Sequence, residues 1–265
     1  MNLDLTGKNA FVGGSSKGIG KASAFALAEL GANITFVGRT ETALMQNLID
    51  LSFISKSGQN HDYLVADFSQ PEKMKAAVER HLKKTAKTYH ILVNNTGGPP
   101  SGKITLAKED EFVSAFEAHL LGNHFLTGLL ADGMKTSGYG RIVNIISTSV
   151  KQPLPNLGVS NTIRAAVANW AKTMANELAE FGITVNNVLP GATSTERLQT
   201  IIDNKAKNHA VEQNLIEEEM KREIPMKRFA KPEEIAAAVA FLCSPAASYI
   251  TGINVPVDGG RTSSL

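Results

Sequence analysis

The feature that most constrains this chain stands near its start. A short apolar run, residues 9–13, enters Gly13-Gly14-Ser15-Ser16-Lys17-Gly18-Ile19-Gly20, and an amphipathic stretch over 19–30 follows directly. A strand that must become a helix within so few residues needs glycine at defined places. Gly14 allows the tight turn, Gly18 lets the backbone come close to a phosphate, and Gly20 lets the new helix pack on the strand. The free N–H groups and positive end of that helix then face the same point, which suits an anion. Ser16, Lys17 and Ile19 complete the turn.

The rest of the chain continues the alternation. Apolar runs over 9–13, 33–37, 62–66, 91–94, 141–146, 184–189 and 254–257 read as strands. Helical patterns occupy 19–30, 41–55, 71–86, 109–134, 157–181 and 232–242. Strands that alternate with helices predict an α/β fold: a single doubly wound Rossmann domain spanning 1–265, with a seven-stranded parallel sheet flanked by helices. The polar helical stretch at about 192–224 fits no sheet unit and reads as an insertion over the substrate side.

Charge and cysteine usage narrow the partners. A net charge of +2 gives no electrostatic case for nucleic acid or a membrane surface. The Lys83, Lys84, Lys87 cluster reads as a solvated helix end. Cys243 is alone, so neither an internal disulfide nor a thiolate metal site is expected. The N-terminus enters a strand without a basic or apolar leader, and no apolar run is long enough to span a bilayer, so the expected location is the cytoplasm.

The tip of the second predicted strand reports on a bound ribose. An acid there would bond a 2′-hydroxyl and repel a 2′-phosphate. This chain has Arg39 and Thr40 instead, with Lys17 in the glycine turn. A guanidinium fork and a second cation favour NADP(H) over NAD(H).

Motifs further along point to a family. Asp67-Phe68 follows the third strand, Asn94-Asn95-Thr96-Gly97 the fourth, Pro190-Gly191 with Thr193 and Thr195 the sixth, and Asp258-Gly259-Gly260 closes the chain. With the glycine turn, where Gly13 stands for the usual Thr, this order resembles the short-chain dehydrogenase/reductases, especially those similar to 3-oxoacyl-carrier-protein reductases. The resemblance implies cofactor contacts at Gly14, Ser16, Lys17, Gly18, Ile19, Gly20, Arg39, Thr40, Asp67, Phe68, Asn94, Asn95, Gly97, Arg164, Pro190, Gly191, Thr193 and Thr195.

The family's catalytic set is Asn, Ser, Tyr and Lys, and this chain departs from it. Ser147, closing Gly140-Arg141-Ile142-Val143-Asn144-Ile145-Ile146-Ser147, matches the serine. Ser160 stands at the tyrosine position, Arg164 at the lysine position, and His119 at the asparagine position. A serine hydroxyl is a poor general acid, and an arginine cannot shuttle a proton at ordinary pH. His119, the neighbouring His124, or water is left to supply the proton, since histidine alone among the replacements titrates near neutrality. The run Asn95-Thr96-Gly97-Gly98-Pro99-Pro100 looks like that of an atypical subgroup with S-N-x-x-R in place of Y-x-x-x-K.

Three readings follow. The first is an NADP(H)-dependent oxidoreductase acting on a small-molecule carbonyl or secondary alcohol, with Ser147, Ser160, Arg164 and His119 as the catalytic set. The second is a weak or inactive NADP(H)-binding sensor or partner protein. The third is a non-redox enzyme on the same scaffold. Arg197, Lys205, Lys207, His209, Lys221 and Arg222 in the 193–224 segment offer cations to an acidic group, such as a carboxylate or a phosphopantetheine arm; with Glu212, Glu217, Glu218 and Glu219 in balance, the preferred reading is a solvated lid. The helices over 109–134 and 157–181 carry more than one apolar stripe, and with the resemblance they imply a homodimer or homotetramer.

Overall fold

Seven parallel strands form one sheet in the order β3-β2-β1-β4-β5-β6-β7. They are β1 (Asn9–Val12), β2 (Asn33–Gly38), β3 (Asp62–Val65), β4 (Ile91–Asn94), β5 (Gly140–Ile145), β6 (Ile183–Pro190) and β7 (Asn254–Val257) in a computed structural model that describes residues 1–264. The two-residue period of a strand sends alternate side chains to opposite faces. Ala10 and Val12 of β1 therefore enter a core with Ile34, Phe36, Leu27 and Val239. Phe11, between them, enters a second core with Val78, Leu130, Met134 and Ala175. Burial on both faces explains why these strands read as continuous apolar runs.

The helices that cover the sheet are α1 (Gly18–Glu29), α2 (Glu41–Ser52), α3 (Pro71–Thr85), α4 (Glu109–Phe116), α5 (Gly122–Ser137), α6 (Gly158–Leu178), α7 (Glu196–His209), α8 (Gln213–Arg222) and α9 (Pro232–Cys243). Helices α1 and α9 pack on each other over the first core. Helices α3, α5 and α6 supply the second. The strand order reverses between β1 and β4, and in open α/β sheets a ligand crevice forms outside the strand ends at such a reversal.

Two regions depart from the expected elements. The helix expected over 109–134 is interrupted by a π-helical turn, Glu117–Leu121, which holds His119. A π turn inserts one residue into the helical repeat, so side chains before and after it lose a common 3.6-residue register. The polar segment after β6 forms α7 and α8, which share a small core of Leu198, Ile202, Ala206, Ile216 and Met220. That pair is tied back to the body by a bridge between Thr193 and Ala230.

Candidate active site

The glycine turn is shaped by close approach. A Cβ on Gly20 would lie 2.2 Å from the Gly14 carbonyl oxygen, so the first turn of α1 can sit against the loop only as glycine. Gly14 and Gly18 adopt left-handed backbone angles, φ 55° and 59°. Asn47 of α2 donates to the Ser15 and Ser16 carbonyls, and Asn95 donates to those of Gly13 and Gly14. Ser15 Oγ donates to the Val12 carbonyl and accepts from Val37 N–H, stapling β1 to β2. The turn's carbonyls are thus held within the protein, while the first N–H groups of α1 have no intrahelical acceptor. A pyrophosphate fits such a cradle. Nothing in the sequence pattern singled out Ser15 or Asn47, because their partners lie on a neighbouring strand or loop.

Around the turn stand the other expected nucleotide residues. Gly38 leaves room for Ser16, whose Oγ would be 2.2 Å from a Cβ there. Arg39 and Thr40 are exposed at the end of β2. Burial raises the Asp67 carboxyl, but hydrogen bonds from Ser69 and Gln70, with the charge of Arg39, outweigh it and hold the group below its ordinary value. Lys17 is ion-paired with Glu196 at the start of α7. Thr195 caps α7 by accepting from Leu198 N–H, and its methyl carbon is the nearest atom to the space above Gly18. The segment after β6 therefore begins directly over the glycine turn.

Two of the expected cofactor contacts have side chains committed within the protein. Phe68 is buried among Met74, Val78 and Leu126, so only its backbone is left to face a ligand. Asn94 is committed to the sheet. Its side chain donates to Asn144, Asn144 to Asn187, and Asn187 to Asn254, at 2.8, 2.9 and 2.8 Å. These four asparagines are cross-strand partners on β4 to β7, so one amide ladder crosses the sheet. The ladder ends on Asn94 Oδ1, which is buried and has no hydrogen-bond partner among the described residues. Gly191 plays a packing part, since a Cβ there would lie 2.7 Å from Asp258, whose carboxylate accepts from Gly260 and Thr262 N–H. Pro190 precedes it at the end of β6, and Thr193 Oγ1 donates to the Gly191 carbonyl.

The four candidate catalytic residues come from three elements. Ser147 lies two residues beyond β5 and caps the short turn that follows, its Oγ accepting from Ser149 N–H at 3.1 Å. Ser160 and Arg164 are one helical turn apart on α6, hence on one face. Among the described residues, the half-buried Ser160 hydroxyl meets no hydrogen-bond partner. Arg164, 8% exposed, donates from Nη1 to the Ile145 carbonyl at 3.0 Å, which joins α6 to the end of β5. Burial, and then the charge of Arg197, push it down to about 10, so it stays a cation at neutral pH. Asn161 bonds both backbone groups of Leu154 and pins the loop before α6, a role its sequence position did not reveal.

The expectation that His119 titrates near neutrality does not hold. His119 is 3% exposed. Burial, and then the Arg164 charge, push it down to about 2. Its Nδ1 lies 2.5 Å from Thr96 Oγ1, and its ring also hydrogen-bonds the Gly97 backbone. It is therefore a neutral imidazole that holds the loop after β4. His124 is exposed on α5 and accepts from Trp170 Nε1, among side chains that are not candidate catalytic groups.

Comparison with known proteins agrees with this geometry. Residues 14–262 match the enoyl-(acyl carrier protein) reductase family. The chain is 33% identical to the 3-oxoacyl-acyl-carrier-protein reductase of Vibrio cholerae, over 97% of this chain and 98% of the relative. It is 28% identical to the NADPH-dependent reductase BacG of Bacillus subtilis, over 98% and 100%. The crystal structure of L-sorbose reductase from Gluconobacter frateurii, complexed with NADPH and L-sorbose, superposes with a TM-score of 0.92 at 31% identity and covers all of both chains.

Proposed function

The chain belongs to the short-chain dehydrogenase/reductase family, and from that premise we propose that it is an NADP(H)-dependent reductase of a small-molecule carbonyl, lacking a phenolic proton donor. The observation that carries this reading is the joint presence of a glycine turn built like a phosphate cradle at Gly14–Gly20 and two hydroxyls, Ser147 after β5 and Ser160 on α6, the latter one helical turn from Arg164. When bound, NADPH supplies the hydride. The chain's own residues do the rest. The glycine turn and Thr195 hold phosphate, and Arg39 with Thr40 meets the adenosine end. Ser147 and Ser160 donate hydrogen bonds to the substrate oxygen. Arg164 keeps a fixed positive charge beside that oxygen as negative charge develops on it. The proton reaches the oxygen from water through a serine hydroxyl, because a neutral His119 has no spare proton to give near pH 7.

The S-N-x-x-R pattern is read here as a different catalytic arrangement that keeps oxygen-binding hydroxyls and a fixed cation. A segment over about 192–224 acts as the substrate lid, with α7 and α8 as its body. The exposed apolar side chains Val113, Phe116 and Leu121 support assembly through the α4–α5 and α6 surfaces, as a homodimer or homotetramer. One observation favours the second reading, a binding protein without hydride transfer: none of the candidate catalytic groups titrates near neutrality.

NADPH fluorescence, followed by addition of ketones, keto-acyl thioesters and oxo acids, tests the proposal. The expected result is a shifted emission on binding, then substrate-dependent loss with alcohol recovered. Arg39→Ala is expected to weaken NADPH binding by roughly tenfold while leaving NADH binding nearly unchanged, the loss of one charge-assisted phosphate contact. No emission change in the parent protein would overturn the proposal.

A further inference from the structure

Arg164 and Arg197 come from different helices and converge. A Cβ on Gly98 would stand 3.5 Å from Arg197 Nη2 and 3.9 Å from Arg164 Nη2, so both guanidinium ends reach one small volume beside the 97–100 loop. Each is aimed by a backbone carbonyl. Arg164 Nη1 donates to Ile145, and Arg197 Nη2 donates to Pro99 at 2.6 Å. Those carbonyls fix direction but carry no net charge.

Among the described residues, neither arginine has a carboxylate within ion-pair distance. Glu196, next to Arg197 in the chain, is paired with Lys17, while Asp110 and Glu111 line a groove together with Gly97, Pro99 and Pro100. Glu111 is already used there, accepting from Lys108 N–H. A buried cation placed beside a second cation is unfavourable unless a negative charge joins them. Here the buried Arg164 and the exposed Arg197 are both pre-aimed by backbone carbonyls, and Ser160 lies one helical turn from Arg164. Paired guanidinium forks match the planar oxygens of a carboxylate. The acids on the groove's rim oppose a dianion, which favours a monoanionic carboxylate over phosphate.

We propose that Arg164 and Arg197 form a carboxylate-binding site, and that the substrate of this chain is an oxo acid, not a neutral ketone or sugar. This inference rests on the carbonyl reductase reading above for its second half only; the anion site stands or falls alone.

The experiment titrates the cofactor-free protein with phenylpyruvate and, separately, with its methyl ester, by calorimetry in a buffer without phosphate. NADPH fluorescence is measured on the same samples. Three variants accompany the parent: Arg197→Met, Arg197→Lys, and Arg222→Met at the exposed end of α8 as a charge control. The expected result is that the acid binds at least about tenfold more tightly than the ester. Arg197→Met abolishes that preference, Arg197→Lys restores part of it, Arg222→Met leaves it intact, and NADPH binding is the same in all four. Equal binding of acid and ester, or an unchanged preference in Arg197→Met, overturns the site. So does a loss of NADPH affinity in Arg197→Met equal to the loss for the acid, which would assign the arginines to the cofactor. Acid binding without any NADPH binding would keep the carboxylate site and remove the reductase reading.

Discussion

Lowering the pH should destabilise this protein through His119 by a calculable amount. His119 is held at about 2 when folded, against ~6.5 in an unfolded chain. A base with a depressed folded pKa takes up its proton more readily when unfolded. Its contribution is therefore intact above the unfolded pKa and is lost as pH falls through the window between the two values. At about pH 5 the unfolded histidine is almost fully protonated and the folded one is not, which favours unfolding by roughly 2 kcal/mol relative to about pH 7.5. For a domain of this size that is a drop in Tm of roughly 4–8 °C. The assay compares thermal unfolding of the parent and His119→Gln across that pH range. Burial also lowers His61, His81 and His90, but these are present in both proteins, so the difference in slope isolates His119. The parent should lose the additional stability and the variant should not. A second reading, by NMR of the imidazole in the folded parent, should find no titration of His119 down to about pH 5. Identical pH slopes, or a ring that titrates near neutrality, would refute the burial argument and return His119 to candidacy as the proton donor.

Two other substitutions test the framework of the site. Gly20→Ala would press a methyl group against the Gly14 carbonyl, 2.2 Å away; we expect a stability loss of about 1–3 kcal/mol by denaturant unfolding, together with loss of the NADPH fluorescence response. Asn144→Leu removes the middle of the amide ladder, stripping Asn94 Nδ2–H of its buried acceptor and Asn187 Oδ1 of its buried donor; unfolding midpoints should fall by the equivalent of about 2–4 kcal/mol, and an unchanged midpoint would mean the ladder contributes little.

The strands and most helices were legible because their signals are local. Runs buried on both faces, glycines at a strand-to-helix turn and a 3.6-residue apolar period each act over a few residues. Helix 109–134 shows the limit. Its pattern reads as one continuous helix, yet a π turn at Glu117–Leu121 resets its register and turns His119 inward. Asn94 shows another. As part of N-N-T-G it reads as a nucleotide contact, but its amide is spent on Asn144, a partner fifty residues away that only strand pairing supplies.

The chain alone carried the doubly wound fold and the glycine turn, since each follows from residue type at a fixed local spacing; that Ser160 and Arg164 stand at the tyrosine and lysine positions is what the family resemblance implies. Tertiary packing decided the state of the groups. His119 is neutral because burial and the Arg164 charge act on it together. Arg197, which reads as a solvated cation of a balanced polar segment, stays exposed but donates to the Pro99 carbonyl, so that its guanidinium and that of Arg164 both reach Gly98. Protonation and charge pairing depend on what surrounds a side chain in three dimensions, and neighbours so distant along the chain leave no local pattern to read.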